Sequence, residues 1–130
     1  MRALVACELG TAEIDVDDEE LVEITDEPLT VSPALDVDLP LVVAAAAHGS
    51  TIVAVVDRRP PLVVSNDGGT TWREAGAGLG PGAAVAISPD HPDVVLFATA
   101  ERLHVSRDGG RFWHALAIEL PGITAVALVV

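Results

Sequence analysis

Apolar residues in this chain fall into short runs separated by polar turns, and Val is prominent in many of these runs. One pair of runs covers residues 51–56 and 62–64, and a second pair covers residues 94–98 and 103–105. Short runs of β-branched residues bounded by Gly, Pro, Asn and Asp are typical of strands. The pattern therefore predicts an all-β chain.

An eight-residue motif follows the second run of each pair. Residues 65–72 read Ser-Asn-Asp-Gly-Gly-Thr-Thr-Trp, and residues 106–113, starting 41 positions later, read Ser-Arg-Asp-Gly-Gly-Arg-Phe-Trp. Asp-Gly-Gly between two strands predicts a tight turn, because Gly accepts positive φ and the Asp carboxylate can accept backbone N–H groups. The Trp begins the next strand and offers a large surface for packing. The predicted structural residues are Ser65, Asp67, Gly68, Gly69, Trp72, Ser106, Asp108, Gly109, Gly110 and Trp113.

The motif Ser-x-Asp-x-Gly-x-x-Trp resembles the Asp-box (BNR) repeat of sialidase-like β-propellers, within the broader class of WD40-, YVTN- and BNR-like repeat proteins. A spacing of 41 residues agrees with this resemblance, since one propeller blade contains four strands. The resemblance implies a β-propeller with three four-stranded blades in the chain. A degenerate third motif covers residues 15–22, with Asp17 at the position of the Asp and no glycines in the turn.

The repeat also predicts the domain organisation. Blade one covers residues 1–27, a Pro-containing linker covers 28–40, blade two covers 41–79 and blade three covers 80–120. Residues 41–46, 83–87 and 123–128 share the pattern of an innermost strand, and blade one lacks a strand of this kind at its start. The strand in 123–130 is therefore expected to complete blade one, either in a partner chain or in the same chain. We expect two copies to close a six-blade homodimer with clasp blades between chains, with another partial propeller as the alternative partner.

Charge limits the classes of partner. The chain has 20 acidic and seven basic residues, which give a net charge of −13. Such a surface repels phosphate backbones and anionic lipids, so neither nucleic acid nor a membrane is expected as a partner. No signal peptide is recognisable at the start and no apolar run approaches about 20 residues, so a cytoplasmic location is predicted. Cys7 is the only cysteine, and the four histidines are widely spaced, so no metal or other cofactor is expected.

Candidate catalytic groups are few. The resemblance to sialidases implies an arginine triad and a tyrosine nucleophile, but this chain contains no tyrosine. The predicted innermost strands are almost entirely apolar, with Thr124 as their polar residue, so an acid pair has no obvious place there. Sialidase activity is not expected. Arg58, Arg59 and Arg102 fall in turns predicted to share one rim, where they form a candidate ligand rim for an anion.

These observations favour a non-enzymatic protein-interaction scaffold that presents its rim loops to a protein partner. The alternative is a carbohydrate- or small-ligand-binding propeller, of glycosidase type or otherwise, whose site forms only in the closed oligomer.

Overall fold

The computed structural model describes residues 1–29 and 39–129, which form three four-stranded antiparallel sheets. This is the all-β architecture predicted from the sequence, and it is consistent with a partial β-propeller. Sheet II contains β4 (Val42–His48), β5 (Thr51–Val56), β6 (Leu62–Ser65) and β7 (Arg73–Ala75). Sheet III contains β8 (Ala84–Ile87), β9 (Val95–Ala98), β10 (Arg102–Ser106) and β11 (His114–Glu119). Sheet I contains β12 (Ala125–Val129), β1 (Arg2–Cys7), β2 (Gly10–Asp15) and β3 (Glu20–Thr25), in that order.

The predicted innermost strands are present, but each begins one or two residues later than predicted. Leu41 has a φ of +63°, which an extended strand does not allow, so β4 starts at Val42. The amide of Ile123 donates to the carbonyl of Ala100 in the neighbouring sheet, and β12 starts two residues later at Ala125. Of the predicted linker 28–40, residues 30–38 lie outside the described part of the chain.

Strand β12 completes sheet I by pairing with β1 of the same chain. Ala125 to Val129 lie opposite Ala6 to Arg2 in an antiparallel register. The sequence left open whether this strand comes from a partner chain or from the same chain. In the structure it comes from the same chain. The pairing joins the two ends of the described chain within one sheet, and strand β8 of sheet III contacts both β4 and β12. Sheet III thus lies between sheets II and I.

Apolar side chains fill the space between sheets II and III. Val53, Val55, Leu62 and Val64 of sheet II pack in one buried cluster with residues of sheet III, among them Phe97. Phe97 is fully buried, and its ring meets the Trp113 ring edge to face at 6.0 Å between centroids. Burial of this many branched side chains supplies the main stabilisation of the interface, at about 1.5–3 kcal/mol for each fully buried side chain.

A second apolar cluster fills the space between sheets III and I. Leu96, Leu103 and Val105 of sheet III pack with residues of sheet I, including Val5 and Ile14, which are fully buried. Two residues of β12, Val126 and Leu128, belong to the same cluster. The last strand therefore contributes both backbone pairing and core packing.

The other face of sheet I is mixed, with polar side chains mainly on β2 and β3 and small or apolar ones mainly on β1 and β12. Cross-strand pairs share a face, so this end face contains Arg2, Leu4 and Ala6 of β1, Thr11, Glu13 and Asp15 of β2, Glu23 and Thr25 of β3, and Ala125, Ala127 and Val129 of β12. None of these side chains is buried.

The alternation of antiparallel strands gives the stack two rims. We define the upper rim as the end at which β4, β8 and β12 begin, and the lower rim as the end at which they finish. The turn 57–61 between β5 and β6 therefore lies on the upper rim, and the two Asp-Gly-Gly turns lie on the lower rim. Surface loops of this kind carry binding groups more often than the strands that hold them.

Replacing Gly82 with Ala tests the packing between sheets II and III. A methyl group at Gly82 would lie 2.4 Å from Phe97 Cε1 and 2.5 Å from Val55 Cγ1, both in the buried cluster. We expect Gly82→Ala to destabilise the fold by about 1–3 kcal/mol, the usual cost of overpacking a core, measured by urea unfolding. Gly80→Ala is the matched control, because a methyl group there meets nothing within 4 Å. Equal effects of the two substitutions would contradict this description of the interface.

Candidate functional site

The first Asp-Gly-Gly turn is held by its own Ser and Asp side chains. The Ser65 hydroxyl donates to Asp67 Oδ1 at 2.8 Å and accepts the amide of Gly69 at 2.8 Å. Asp67 Oδ1 also accepts the amide of Thr71 at 2.9 Å, and Asp67 Oδ2 accepts the Thr71 hydroxyl at 2.6 Å. Gly68 and Gly69 have φ values of +71° and +97°, which explains why glycine stands at both positions.

The second turn repeats this network. The Ser106 hydroxyl donates to Asp108 Oδ1 and accepts the amide of Gly110, both at 2.8 Å. Asp108 Oδ1 also accepts the amide of Phe112 at 3.0 Å. In each turn the Trp indole donates to the carbonyl of the second Gly, at 3.1 Å from Trp72 and 3.0 Å from Trp113. The predicted structural role of the shared residues agrees with this geometry.

The hydrogen bonds lower the pKa of both turn carboxylates. The Thr71 hydroxyl and amide, followed by the Ser65 hydroxyl, lower the pKa of Asp67 to about 2. The amide of Phe112, followed by the hydroxyl of Ser106, lowers the pKa of Asp108. The ionised form is therefore the one that holds each turn.

The third, degenerate turn uses a different carboxylate. Asp15 Oδ1 accepts the amides of Asp17 and Asp18, at 3.0 and 3.1 Å. The Asp17 carboxylate instead binds the ammonium group of Met1 at 2.7 Å and the guanidinium of Arg107 at 3.0 Å. Asp17 stands at the aligned position, but its carboxylate does not bind the backbone of its own turn as Asp67 and Asp108 do. With no glycine in this turn, Glu19 takes the positive φ, at +54°, and the network of the other two turns does not form.

Polar contacts on the lower rim connect neighbouring sheets, and sequence reasoning missed them. Glu19 Oε1 in sheet I lies 3.1 Å from His114 Nε2 and accepts the amide of Ala117, both in sheet III. These contacts with His114 and Ala117 lower the pKa of Glu19. The guanidinium of Arg73 in sheet II donates to the carbonyl of Gly109 in sheet III. Only the three-dimensional arrangement brings these residues together, since no spacing rule relates them in sequence.

Phe112 differs from every other aromatic residue of the chain in its exposure. Its side chain is 80% exposed, although the neighbouring Trp113 is partly buried in the core. Together with Val105, Arg107, Trp113 and His114 it lines a shallow depression of about 290 Å³ on the lower rim. The equivalent residue of the first turn is Thr71, whose hydroxyl binds the turn carboxylate. The fold of the turn therefore does not require an aromatic residue at position 112.

The upper rim contains a groove beside two of the three predicted rim arginines. Arg58 and Arg59 line it together with the neighbouring Asp57, and its volume is about 190 Å³. The opposite wall is the segment 79–82, which leads from sheet II into sheet III. Arg102 does not line this groove, and its guanidinium forms an ion pair with Glu119. The structure thus brings Arg58 and Arg59 together and gives Arg102 a different partner.

The described residues form neither a metal-binding cluster nor a membrane-spanning helix. Within residues 1–29 and 39–129, no group of three or more His, Cys, Asp or Glu side chains is placed to hold a metal ion. In the same part of the chain, no helix has the length and apolar character that crossing a bilayer requires.

Comparisons with known proteins give similarity at the level of solved structures. No protein-family model matches the chain, and no curated protein matches it. Among solved structures, the chain is similar to a GH74 enzyme of Niastella koreensis, at 19% sequence identity and a TM-score of 0.49. The similarity covers 92% of this chain but 18% of that enzyme, so the chain spans less than a fifth of its length.

Trp113 and Phe112 are adjacent, and the structure predicts opposite results for their removal. Trp113→Ala removes an indole that packs on Phe97 and binds the Gly110 carbonyl, so we expect a loss of about 3 kcal/mol in unfolding free energy. Phe112→Ala removes an exposed ring, and its effect should stay within about 0.5 kcal/mol. Chemical denaturation of both variants checks this. A similar cost for the two would refute the assignment of Trp113 to the core.

The lowered pKa of Asp67 predicts a dependence of stability on pH. Because the folded-state pKa of about 2 lies below the ordinary value of 3.8, ionised Asp67 stabilises the fold above pH 3.8, and this contribution is lost as the pH falls toward 2. Asp67→Asn should therefore be less stable than the parent chain at pH 6, with a difference that narrows toward pH 2. Thermal unfolding at several pH values measures this difference. Asp57→Asn, a substitution at an exposed residue of an upper-rim turn, is the control. A difference that does not change with pH would be inconsistent with a role for the charge.

Proposed function

We propose that this chain is a non-enzymatic protein-interaction scaffold, built on Asp-box repeats of a partial β-propeller, and that its lower rim binds a protein partner. The exposure of Phe112 carries the proposal. The first turn folds with Thr71 at the equivalent position, so an aromatic ring is not needed to form such a turn. Exposed apolar surface beside arginine is typical of binding sites. The Asp-box assignment rests on the two matching Ser–Asp–Gly networks.

The residues around Phe112 indicate what kind of surface it binds. Arg107 and Arg111 are exposed and flank the ring in sequence, while Trp113 and Val105 form the floor of the depression. Aromatic residues and Arg are enriched in the centres of protein interfaces, where they account for much of the binding energy. A partner with an apolar side chain ringed by carboxylates would complement this lower-rim patch, defined by Val105, Arg107, Arg111, Phe112 and Trp113.

The homodimeric six-blade ring stays a prediction. If a second copy closed the ring, the end face of sheet I would pack on the outer face of sheet II in that copy. The end face contains the carboxylates of Glu13, Asp15 and Glu23. The outer face of sheet II contains Ala54, Val56 and Val63, which are buried. These side chains are already covered within the chain, so the end face of a second copy could not contact them directly.

The small-ligand alternative has one observation in its favour, the groove beside Arg58 and Arg59. It lies on the opposite rim from Phe112, so the two proposals concern different surfaces and can be tested separately. A carbohydrate ligand in particular has no supporting contact among the described residues.

Substitution of Phe112 by the residue found in the equivalent turn tests the scaffold proposal. Phe112→Thr should fold at least as well as the parent chain, because Thr can bind Asp108 as Thr71 binds Asp67. Immobilised parent chain and variant are compared for retention of proteins from the source organism's extract, and each retained protein is then purified and its affinity measured. We expect a partner that binds the parent chain directly and whose affinity falls at least about tenfold for the variant, as loss of an interface centre predicts.

Two controls complete the experiment. Thr71→Ser keeps a hydroxyl in the first turn and should leave partner binding unchanged. Light scattering of the chain alone determines whether a second copy is the partner, since a homodimer would have about twice the chain mass of 13.4 kDa. Equal affinity of the partner for the parent chain and Phe112→Thr would rule out the lower-rim patch.

A further inference from the structure

The groove on the upper rim has one apolar side and one charged side. Val43, Val56, Pro61 and Leu79 supply apolar surface, and Gly80 and Gly82 also line the groove. Val43 is 53% exposed, which is unusual for a valine in an innermost strand, since neighbouring strands cover most of such a residue. Asp57, Arg58 and Arg59 form the charged side, and all three are exposed.

The guanidinium groups of Arg58 and Arg59 are exposed and have no partner among the described residues, whereas Arg2, the other arginine without one, has a buried Nη1 in sheet I. Arg73, Arg102, Arg107 and Arg111 each donate a hydrogen bond to an oxygen atom of the chain. Arg58 and Arg59 form no ion pair with any described carboxylate, although acidic residues outnumber basic ones by 20 to seven. Within residues 1–29 and 39–129, these two adjacent guanidinium groups have no anionic partner.

We propose that this groove binds an organic monocarboxylate that has an apolar body. A guanidinium group binds a carboxylate through two parallel hydrogen bonds, and Arg remains charged at any ordinary pH. Asp57 lies in the same groove, so the local charge of the three side chains is +1, which suits one negative charge better than two. The apolar side then accepts the body of the ligand.

The volume of the groove limits the size of the ligand. A space of 190 Å³ corresponds to about six water molecules at about 30 Å³ each. An arylalkyl carboxylate, or the C-terminal residue of a peptide, fills such a space. Both sources present the same chemistry, a terminal carboxylate a few bonds away from an apolar side chain, and the experiment includes one arm for each.

The test uses 3-phenylpropionate as the free acid and N-acetyl-glycyl-phenylalanine as the peptide acid, each added to the ¹⁵N-labelled full chain and followed by NMR. We expect saturable shifts of the amide signals of Val43, Gly80 and Gly82 with at least one acid, and none with 3-phenylpropionamide or the peptide amide. Inorganic phosphate should bind at least about tenfold more weakly, because it lacks the apolar body and carries a second charge.

Variants separate the roles of the three charged side chains. The double variant with Arg58→Gln and Arg59→Gln should weaken binding at least about tenfold, the factor expected for loss of a charged hydrogen bond. Asp57→Asn should strengthen binding by removing the like charge. Arg102→Gln, on the same rim but outside the groove, should change affinity by less than about twofold. The NMR spectrum of each variant shows directly whether the chain remains folded.

Three results would overturn the proposal. The first is equal binding of the acids and their amides, which would show that the charge is not recognised. The second is unchanged affinity in the double arginine variant. The third is tighter binding of phosphate than of either acid, which would assign the groove to a different class of anion. None of these results bears on Phe112, because that residue lies on the other rim.

Discussion

The fold depends on the pairing of β12 with β1. Each sheet of this chain has an apolar face that it cannot bury alone, so the sheets must stack. Strands β1 to β3 alone would form a three-stranded sheet at the start of the chain, far in sequence from the sheet on which it packs. Pairing with β12 brings this sheet beside sheet III, and it buries Val126 and Leu128 together with Val5 and Ile14. One backbone ladder therefore determines the order of the stack, with sheet III in the middle.

The sequence was sufficient to predict the strands and the two regular turns. Alternating apolar runs and Asp-Gly-Gly segments depend on neighbours in sequence, and the hydrogen bonds of Ser65 and Asp67 close within five residues. Contacts between sheets depend on packing and could not be predicted in this way. Glu19 and His114 are 95 positions apart in sequence and meet only because sheet I lies on sheet III. The contacts of the Asp17 carboxylate could not be predicted for the same reason. Its partners, Met1 and Arg107, lie outside its own turn.

The orientation of sheet I is the clearest case of packing overriding the repeat. Counted from the aligned turns, Ala12 and Ile14 of β2 correspond to Leu103 and Val105 of β10. Leu103 and Val105 point toward the next sheet in the stack, whereas Ala12 and Ile14 point back toward sheet III. If Ala12 and Ile14 were directed outward, they would lose their contacts with the apolar cluster shared with sheet III. The observed register exposes Glu13 and Asp15 instead, and a one-residue shift of strand pairing suffices to exchange the two faces.

In the turns, the residues that hold the backbone are different from the residues that are exposed, and this division shows where function can lie. The Ser, Asp, Gly and Trp positions of the two lower-rim turns are fixed by hydrogen bonds within each turn, so the remaining positions are free to differ. Where the first turn has Asn66 and Thr71, the second has Arg107 and Phe112, and in both turns the Ser hydroxyl and the Asp carboxylate accept backbone amides from equivalent positions. On the upper rim, Arg58 and Arg59 occupy a turn held by backbone hydrogen bonds from Val56 to Pro61 and from Asp57 to Leu41. The exposed side chains of Phe112, Arg58 and Arg59 take no part in the hydrogen bonds that hold these turns. Because antiparallel strands separate the two rims by the length of a sheet, a ligand in the groove and a protein on the lower-rim patch would not compete for space, and both could occupy the chain at once.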